Sequence, residues 1–138
     1  MKCDIVSVRR TVYSGQVSLI VVPGKAGELG IAPQHAPLMT TLKPGPVRIV
    51  PVEGEETTFL VGGGIVEVMP HLVTILVDSA ARADDFDETA ARRARDKAQR
   101  ALETGQGSME IAEAQVMLKN TIEQLQALEQ WRKRVQHR

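Results

Sequence analysis

The sequence predicts an α+β protein, with a β-sandwich of about ten short strands in residues 1–85 and an antiparallel two-helix hairpin in residues 86–138. Two observations predict it. Short runs rich in valine and isoleucine, broken by glycine and proline, fill the first part and are typical of strands and turns. Alanine, arginine, glutamate and glutamine fill the second part, where apolar residues recur at helical spacing. Because no helix separates the strands, we expect a sandwich or a flattened barrel.

Strands are predicted in the apolar runs at residues 3–8, 17–22, 46–52, 57–61, 65–69 and 72–77, with shorter strands near Val12, Leu29 and Met39. In the runs 17–22 and 72–77, apolar residues nearly fill both faces, as in strands that are covered on two sides. Gly62, Gly63 and Gly64 stand between two runs and lack the following helix of a dinucleotide site. We therefore expect a bulge or a close approach of the backbone there.

The first helix is predicted from about Asp87 to Glu103. Carboxylates at residues 84–88 can accept hydrogen bonds from the free amides at a helix start, and Asp85 and Glu88 have capping-box spacing.

Gly105 and Gly107 are expected to end this helix, because glycine tolerates the left-handed backbone of a helix terminus. Ser108 is expected to cap a second helix that continues to about Gln136.

Each predicted helix carries an apolar stripe. The stripe of the second helix is Ile111, Ala114, Leu118, Ile122, Leu125, Leu128 and Trp131, and that of the first is Ala91, Ala94, Ala98, Ala101 and Leu102. The alanine stripe is thin, since four buried methyl groups contribute roughly 3 kcal/mol and a leucine about 2 more. The stripes could simply pack on each other and on the sandwich. We also hypothesise that the hairpin is marginally docked and can open into an extended second helix roughly 40 Å long.

Composition excludes several classes of protein. The chain has 17 basic and 17 acidic residues, so no net charge steers it toward nucleic acid or an anionic membrane surface. Only 3% of its residues are aromatic, too few for the stacking platforms of single-strand binders. No stretch approaches the roughly 18 apolar residues of a spanning helix, and the first residues lack a signal peptide's apolar run. We therefore expect a soluble protein on the cytoplasmic side, without a nucleic-acid partner.

No motif predicts catalysis, a metal or a cofactor. Cys3 is the only cysteine, and His35, His71 and His137 lack the paired spacing of zinc ligands. The Gly24-Lys25 pair lacks the first glycine and the Ser or Thr of a phosphate loop, so it is predicted to be a turn. A small-molecule enzyme built on the β domain is an alternative that no motif supports.

Several longer segments resemble the epsilon subunit of bacterial F-type ATP synthases, and the resemblance covers essentially the whole chain. They are residues 27–38 (GELGIAPQHAPL), 42–45 (LKPG), 63–68 (GGIVEV), 73–80 (VTILVDSA) and 85–88 (DFDE). The resemblance implies the same fold and a non-catalytic central-stalk subunit of a proton-translocating enzyme. It implies contacts with the gamma subunit and the c-subunit ring, and with the alpha and beta subunits when the hairpin extends and inhibits ATP hydrolysis. The implied location is peripheral, on the cytoplasmic face of the bacterial plasma membrane, with membrane contact only through the complex.

The resemblance also assigns residues. It implies that Glu28 and His35 contact the c-ring, although His35 could instead make a structural hydrogen bond within its own turn. Gln34 stands where the family usually has glycine. Once the hairpin extends, its contacts with a regulatory partner are expected at Arg92, Arg93, Arg100, Ser108, Arg132, Lys133 and Arg134. From the residues alone, these cations could equally form a solvated face or meet an acidic partner surface.

Some members of this family bind ATP through a motif at the start of the first helix, and the corresponding residues here are 86–91 (FDETAA). Asp87 matches the motif, but Ala90 replaces its arginine and cannot pair with a phosphate. Arg92 or Arg93 would lie on a different helix face. We therefore expect ATP binding to be weak or absent. The alternative is a sensor in which ATP stabilises the folded hairpin.

Overall fold

The computed structural model describes residues 1–105 and 110–136, which form nine strands followed by two helices. The strands are β1 (Lys2–Ser7), β2 (Thr11–Gly24), β3 (Gly27–Ile31), β4 (Leu38–Leu42), β5 (Gly45–Pro51), β6 (Thr57–Val61), β7 (Gly64–Val68), β8 (Leu72–Val77) and β9 (Ala80–Arg82). A short 3-10 turn at Ala83–Asp85 leads to α1 (Glu88–Thr104) and α2 (Ile111–Gln136). The predicted class, a β-sandwich followed by a helical hairpin, is confirmed.

The strands form one folded sheet in the order β1-β8-β7-β4-β2-β5-β6-β9, with β3 paired to β2. β1 also pairs with β2, so the sheet closes on itself through this strand of 14 residues. β1 and β8 run parallel, with Lys2 beside Leu72 and Ser7 beside Val77. The short strand expected near Val12 and the run at 17–22 are one strand, and β9 had no clear apolar run to predict it.

The core lies between the two layers of this folded sheet. Alternate residues of the strands point into it, as the period of two requires. Its side chains are almost all valine, isoleucine and leucine, and Ile5, Ile20, Ile49 and Ile75 are fully buried. Cys3 packs in the same core.

The helix ends follow the predicted chemistry with one correction. The N-cap of α1 is Asp87, whose Oδ1 accepts a hydrogen bond from the Ala90 amide at 2.9 Å. Asp85 belongs to the preceding 3-10 turn and does not form the capping box that its spacing suggested. Gly105 closes α1 with φ of 65°, in the left-handed region that favours glycine. Gly107 and Ser108 lie outside the described residues.

The hairpin is folded down on the sandwich. α2 lies against β5 and β6, and α1 lies on α2. The predicted stripe of α2 is only partly buried, because the side chains of Ile111 and Ile122 are 67% and 39% exposed. α2 packs on α1 through Ala114 near its start and on the sheet through Leu128 near its end. The residues of the stripe are therefore divided between a contact with α1 and a contact with the sheet.

Candidate functional site

The interface between α2 and the sandwich, here called the docking interface, brings together two of the residues that the sequence analysis singled out, Glu28 and Arg134. Its apolar part is a small cluster. Leu60 of β6 and Leu128 of α2 are buried there with two alanines, and Phe86 and Trp131 pack on the edge. Full burial of one leucine contributes roughly 1.5–3 kcal/mol, so this cluster can hold the hairpin without locking it.

A second apolar cluster joins the two helices at the far end of the hairpin. Its buried members are Ala98, Ala101 and Ala114, and the partly buried Leu102, Met117 and Leu118 pack around them. Methyl groups bury little area, which agrees with the thin seam expected from the alanine stripe.

A polar contact lies between α2 and the turn that joins β6 to β7. The side chain of Glu123 is 13% exposed, and its Oε2 accepts a hydrogen bond from the backbone N–H of Gly63 at 2.8 Å. A Cβ on Gly62 would collide with this carboxylate. A Cβ on Gly64 would overlap the backbone of Leu76 in β8, so the close approach of the backbone predicted for the glycine run is confirmed there, while at Gly62 the neighbour is a side chain of the hairpin.

Lys119, one helical turn before Glu123, reaches the same corner of the sandwich. Its Nζ lies 3.3 Å from Asp78 Oδ2 and 3.8 Å from Glu123 Oε1. The hydrogen bond with Asp78 is the main cause that raises the pKa of Lys119. Because the lysine is largely exposed, the pair is screened by water and contributes little alone.

A cluster of charges joins the first turn of α1 to the last turns of α2. Glu88 accepts hydrogen bonds from Arg132 at 2.5 and 3.1 Å and from Arg92 at 2.9 and 3.2 Å. The bonds from Arg132, and then those from Arg92, lower the pKa of Glu88 to about 2. Two of the expected regulatory cations are thus paired inside the folded chain.

Arg134 forms an ion pair with Glu28 of β3. Both side chains line a small cavity of about 110 Å³ between α2, the start of β3 and the turn before β5. Glu28 was expected at the c-ring and Arg134 at a different partner, so the fold brings together two residues that the sequence assigned separately.

His35 lies in the loop between β3 and β4, where its Nδ1 is 2.8 Å from the carbonyl oxygen of Ala36. In the same loop Gln34 has φ of 65°, a conformation that favours glycine, and its N–H donates to Pro70 O at 3.1 Å. The loop therefore keeps the backbone turn that a glycine would adopt. No hydrogen bond or ion pair joins His35 to Glu28 in the part of the chain that the structure describes.

The remaining regulatory candidates are exposed. Lys133 pairs with Glu129 one turn earlier at 3.5 Å, whereas Arg93 and Arg100 make no side-chain ion pair within the described ranges. Ser108 lies outside those ranges. The role of these residues toward a partner stays a prediction.

The residues of the degenerate ATP motif have local structural roles. The Asp87 carboxylate is engaged as the cap of α1, and Ala90, whose amide it binds, is exposed. A nucleotide that used Asp87 would compete with this cap.

The rest of the described chain offers little chemistry. Burial raises the pKa of the Cys3 thiol to about 12, so it is a poor nucleophile. No group of three or more His, Cys, Asp or Glu side chains is placed to hold a metal ion within residues 1–105 and 110–136. Neither α1 nor α2, as far as each is described, combines the length and apolarity needed to cross a bilayer.

Sequence reasoning missed Glu123, Lys119 and Asp78 as contact residues. Their partners are distant in the chain, and a charged residue on a helix looks the same whether it faces water or a neighbouring strand. The glycine run was the only signal, since it indicated a close approach without naming what approaches.

Comparisons with known proteins agree with this fold along the chain. The family model described as ATP synthase, Delta/Epsilon chain, beta-sandwich domain matches residues 1–83. The ATP synthase epsilon chain of Stenotrophomonas maltophilia (strain K279a) is 48% identical over 137 residues, which cover 99% of this chain and 98% of that relative.

Two solved structures have the same fold at low sequence identity. A chain in the cryo-EM structure of the Euglena gracilis mitochondrial ATP synthase with its c-ring matches with a TM-score of 0.60 and 18% identity, over 91% of this chain and 79% of that chain. A chain in the central stalk and c-ring structure of the Tetrahymena thermophila mitochondrial ATP synthase matches with a TM-score of 0.57 and 18% identity, over 96% and 94%.

Proposed function

Because this chain belongs to the epsilon-chain family of ATP synthase, we propose that it is a non-catalytic central-stalk subunit of a proton-translocating F-type enzyme. In this role the sandwich couples the rotor to the catalytic head, and the helices inhibit ATP hydrolysis when they leave the sandwich. Residues 1–85 and 86–138 are then two units with different tasks. The complex would hold the chain peripherally at the cytoplasmic face of the bacterial plasma membrane.

The gamma subunit is the proposed partner of an exposed apolar face on β4, β7 and β8. Met39, Ile65 and Leu76 are 64%, 44% and 51% exposed there, and Ile65 lies beside Leu76 in the register. Apolar side chains grouped on one face are typical of a docking surface. The hairpin covers β5 and β6 and leaves this face open, so gamma and the folded hairpin can be held together.

Glu28 and His35 are the proposed contacts with the c-ring. Each sits on a backbone that is tied to other strands or turns: β3, which carries Glu28, pairs with β2 over residues 27–31, and the Gln34 amide ties the His35 loop to Pro70. A tied loop presents side chains in a fixed position, which torque transfer requires. Because Arg134 already holds Glu28, the ring must either share this carboxylate or replace the arginine.

The observation that carries the inhibitory role is the thin connection of the hairpin. Alanines form the buried part of the α1–α2 seam, and the ion pairs Lys119–Asp78 and Arg134–Glu28, whose side chains water can also solvate, join α2 to the sandwich. Opening would release Arg132 and Arg134 from Glu88 and Glu28, and extended helices would carry these cations, with Arg93 and Arg100, toward acidic surfaces of the alpha and beta subunits.

A chain that ends at Asp85 tests the inhibitory role. We expect the truncated chain to assemble with gamma and the hydrolysis of ATP by the reconstituted complex to rise. Unchanged hydrolysis with normal assembly would show that the helices do not inhibit.

A charge-removing variant tests the same role in the full chain. Arg93→Gln combined with Arg100→Gln should weaken inhibition, because both side chains are exposed and available to a partner. Arg9→Gln, in the exposed turn between β1 and β2, is the control and should leave hydrolysis unchanged.

The ATP-sensor alternative receives less support. Asp87 is already engaged as a helix cap, and Ala90 supplies no charge for a phosphate. Calorimetry of the isolated chain with ATP distinguishes the two functions, since millimolar or tighter binding would favour the sensor.

A further inference from the structure

The middle of α2 is attached to the sandwich through a partly buried carboxylate. Glu123 reaches out of the helix into the turn between β6 and β7, where the Gly63 N–H donates to its Oε2 at 2.8 Å. A charged acceptor makes a stronger hydrogen bond than a neutral one. If this acceptor left while the helix stayed, the amide would lose its partner in a partly buried place, which is unfavourable.

The sandwich is shaped to receive this carboxylate. A Cβ at Gly62 would collide with Glu123 Oε2 and would lie 3.0 Å from Ser79 Oγ, so a methyl group there would displace the end of the Glu123 side chain. At Gly63 a Cβ would meet only ordinary contacts, the nearest at 3.6 Å from Asp78 Oδ2. Neither glycine has a positive φ that would itself require glycine. A methyl group at Gly62 would therefore act on the contact with the hairpin.

Lys119 reinforces the same contact from one turn away. It pairs with Glu123 on its own helix and with Asp78 on the sandwich. The Asp78 N–H donates to Gly63 O at 3.0 Å, so the two sandwich residues that the helix touches are themselves bonded. A lysine and a glutamate of α2 thus reach one rigid corner of the sandwich.

We propose that Glu123, supported by Lys119, is the latch that sets the balance between the docked and the open hairpin. Glu123 positions α2, and the hairpin can extend only after the carboxylate leaves the Gly62–Gly63 turn. This rests on the proposed function, because it names the contact that controls the inhibitory opening. When the hairpin is open, water solvates both the carboxylate and the amide. The latch therefore shifts the equilibrium toward the docked hairpin without preventing the hairpin from opening.

The chain carries its own reporter of docking. Trp131 is the only tryptophan, and it packs at the edge of the apolar cluster on Leu60. Its fluorescence and its quenching by acrylamide should report how much of the hairpin is undocked in the full-length isolated chain. Exchange of the Gly63 amide with solvent, followed by NMR, reports the latch itself.

Matched variants test the latch from both sides. Glu123→Ala and Gly62→Ala should each raise the open-to-docked ratio roughly tenfold and expose the Gly63 amide, as expected for loss of a hydrogen bond to a charged group. Gln115→Ala, at an exposed position on the same helix, is the control. Glu123→Gln keeps an acceptor without the charge, so its shift should be smaller than that of Glu123→Ala.

The proposal is overturned if Trp131 in Glu123→Ala is as shielded as in the control Gln115→Ala. It is also overturned if the Gly63 amide keeps its protection in Glu123→Ala. Should Gly62→Ala fail to fold, the glutamate variants decide alone.

These measurements need no ATP synthase, so the latch and the inhibitory role can fail separately. If Glu123→Ala opens the hairpin but hydrolysis by the reconstituted complex does not fall, the latch stands and the inhibitory role is wrong. If the hairpin of Glu123→Ala stays docked, the latch is wrong whatever the complex does.

Discussion

The sandwich and the hairpin are stabilised by different means. The sandwich buries branched side chains between two layers, and its strands are joined by continuous backbone hydrogen bonds. The hairpin buries methyl groups between its helices, and a small apolar cluster around Leu60 and Leu128 holds it on the sandwich together with a few ion pairs. The difference shows how one short chain can contain a rigid body and a detachable part. Large buried side chains make the sandwich rigid, whereas contacts of small or charged side chains can be replaced by contacts with water.

The largest effect should come from the sandwich core. Ile75 is fully buried, so Ile75→Ala removes apolar contacts and leaves a cavity that costs about 2–5 kcal/mol. Urea denaturation followed by circular dichroism should show this loss for the whole sandwich. A loss below about 1 kcal/mol would break the comparison, because the core would then be no stronger than the hairpin seam.

Leu128→Ala should separate the two regions. This side chain is 5% exposed in the docking interface, and its truncation should weaken docking by about 2–3 kcal/mol. We expect Trp131 fluorescence to change at a lower urea concentration than the β-sheet signal, which should keep its midpoint. Ile111→Ala, on the exposed start of the same helix, is the control. A single coincident transition for both signals would mean that the hairpin and the sandwich unfold as one unit.

A smaller effect is expected at the end of α1. Gly105 has φ of 65°, so Gly105→Ala forces a side chain into the left-handed region at about 1–2 kcal/mol. Thermal melts should show a weaker hairpin and an unchanged sandwich. Gly30→Ala, where the added methyl group meets open space and φ is not positive, serves as the comparison. Equal melts for the two variants would contradict the capping role of Gly105.

The smallest effect should follow from pH at the exposed cluster on Glu88. Arg132 and Arg92 lower the pKa of Glu88 from 4.5 to about 2 in the folded chain, so this group stabilises the fold above pH 4.5. The contribution is lost as the pH falls from 4.5 toward 2. Trp131 fluorescence in this window should differ between the natural chain and Glu88→Gln, in which the titration is absent. Identical pH curves would show that the cluster does not hold the hairpin.

Much of the fold could be predicted because the two regions have different apolar periods. β5 to β8 and α1 were placed within about two residues of their actual ends, as is usual for strongly patterned segments. The prediction of the apolar stripe of α2 was less accurate. Periodicity shows which residues share a face, but it does not show that a helix turns this face to one partner at its start and to another at its end.

The candidate site could be predicted only in part for a related reason. Glu28 and Arg134 were assigned from a resemblance, each to a different partner, and only the fold shows that they form a pair. The contact of Glu123 with Gly63 joins residues far apart in the chain, and one side of it is a backbone amide that every residue except proline carries.

The parallel pairing of β1 with β8 also constrains the order in which the parts of the protein can fold during synthesis. The first strand cannot complete its hydrogen bonds until residue 77 has left the ribosome, so the sandwich closes late and slowly, as expected for contacts between distant parts of a chain. The helices emerge after that point. They meet a sandwich whose sequence is already fully synthesised, and the hairpin can therefore be added last, as a separate step of assembly.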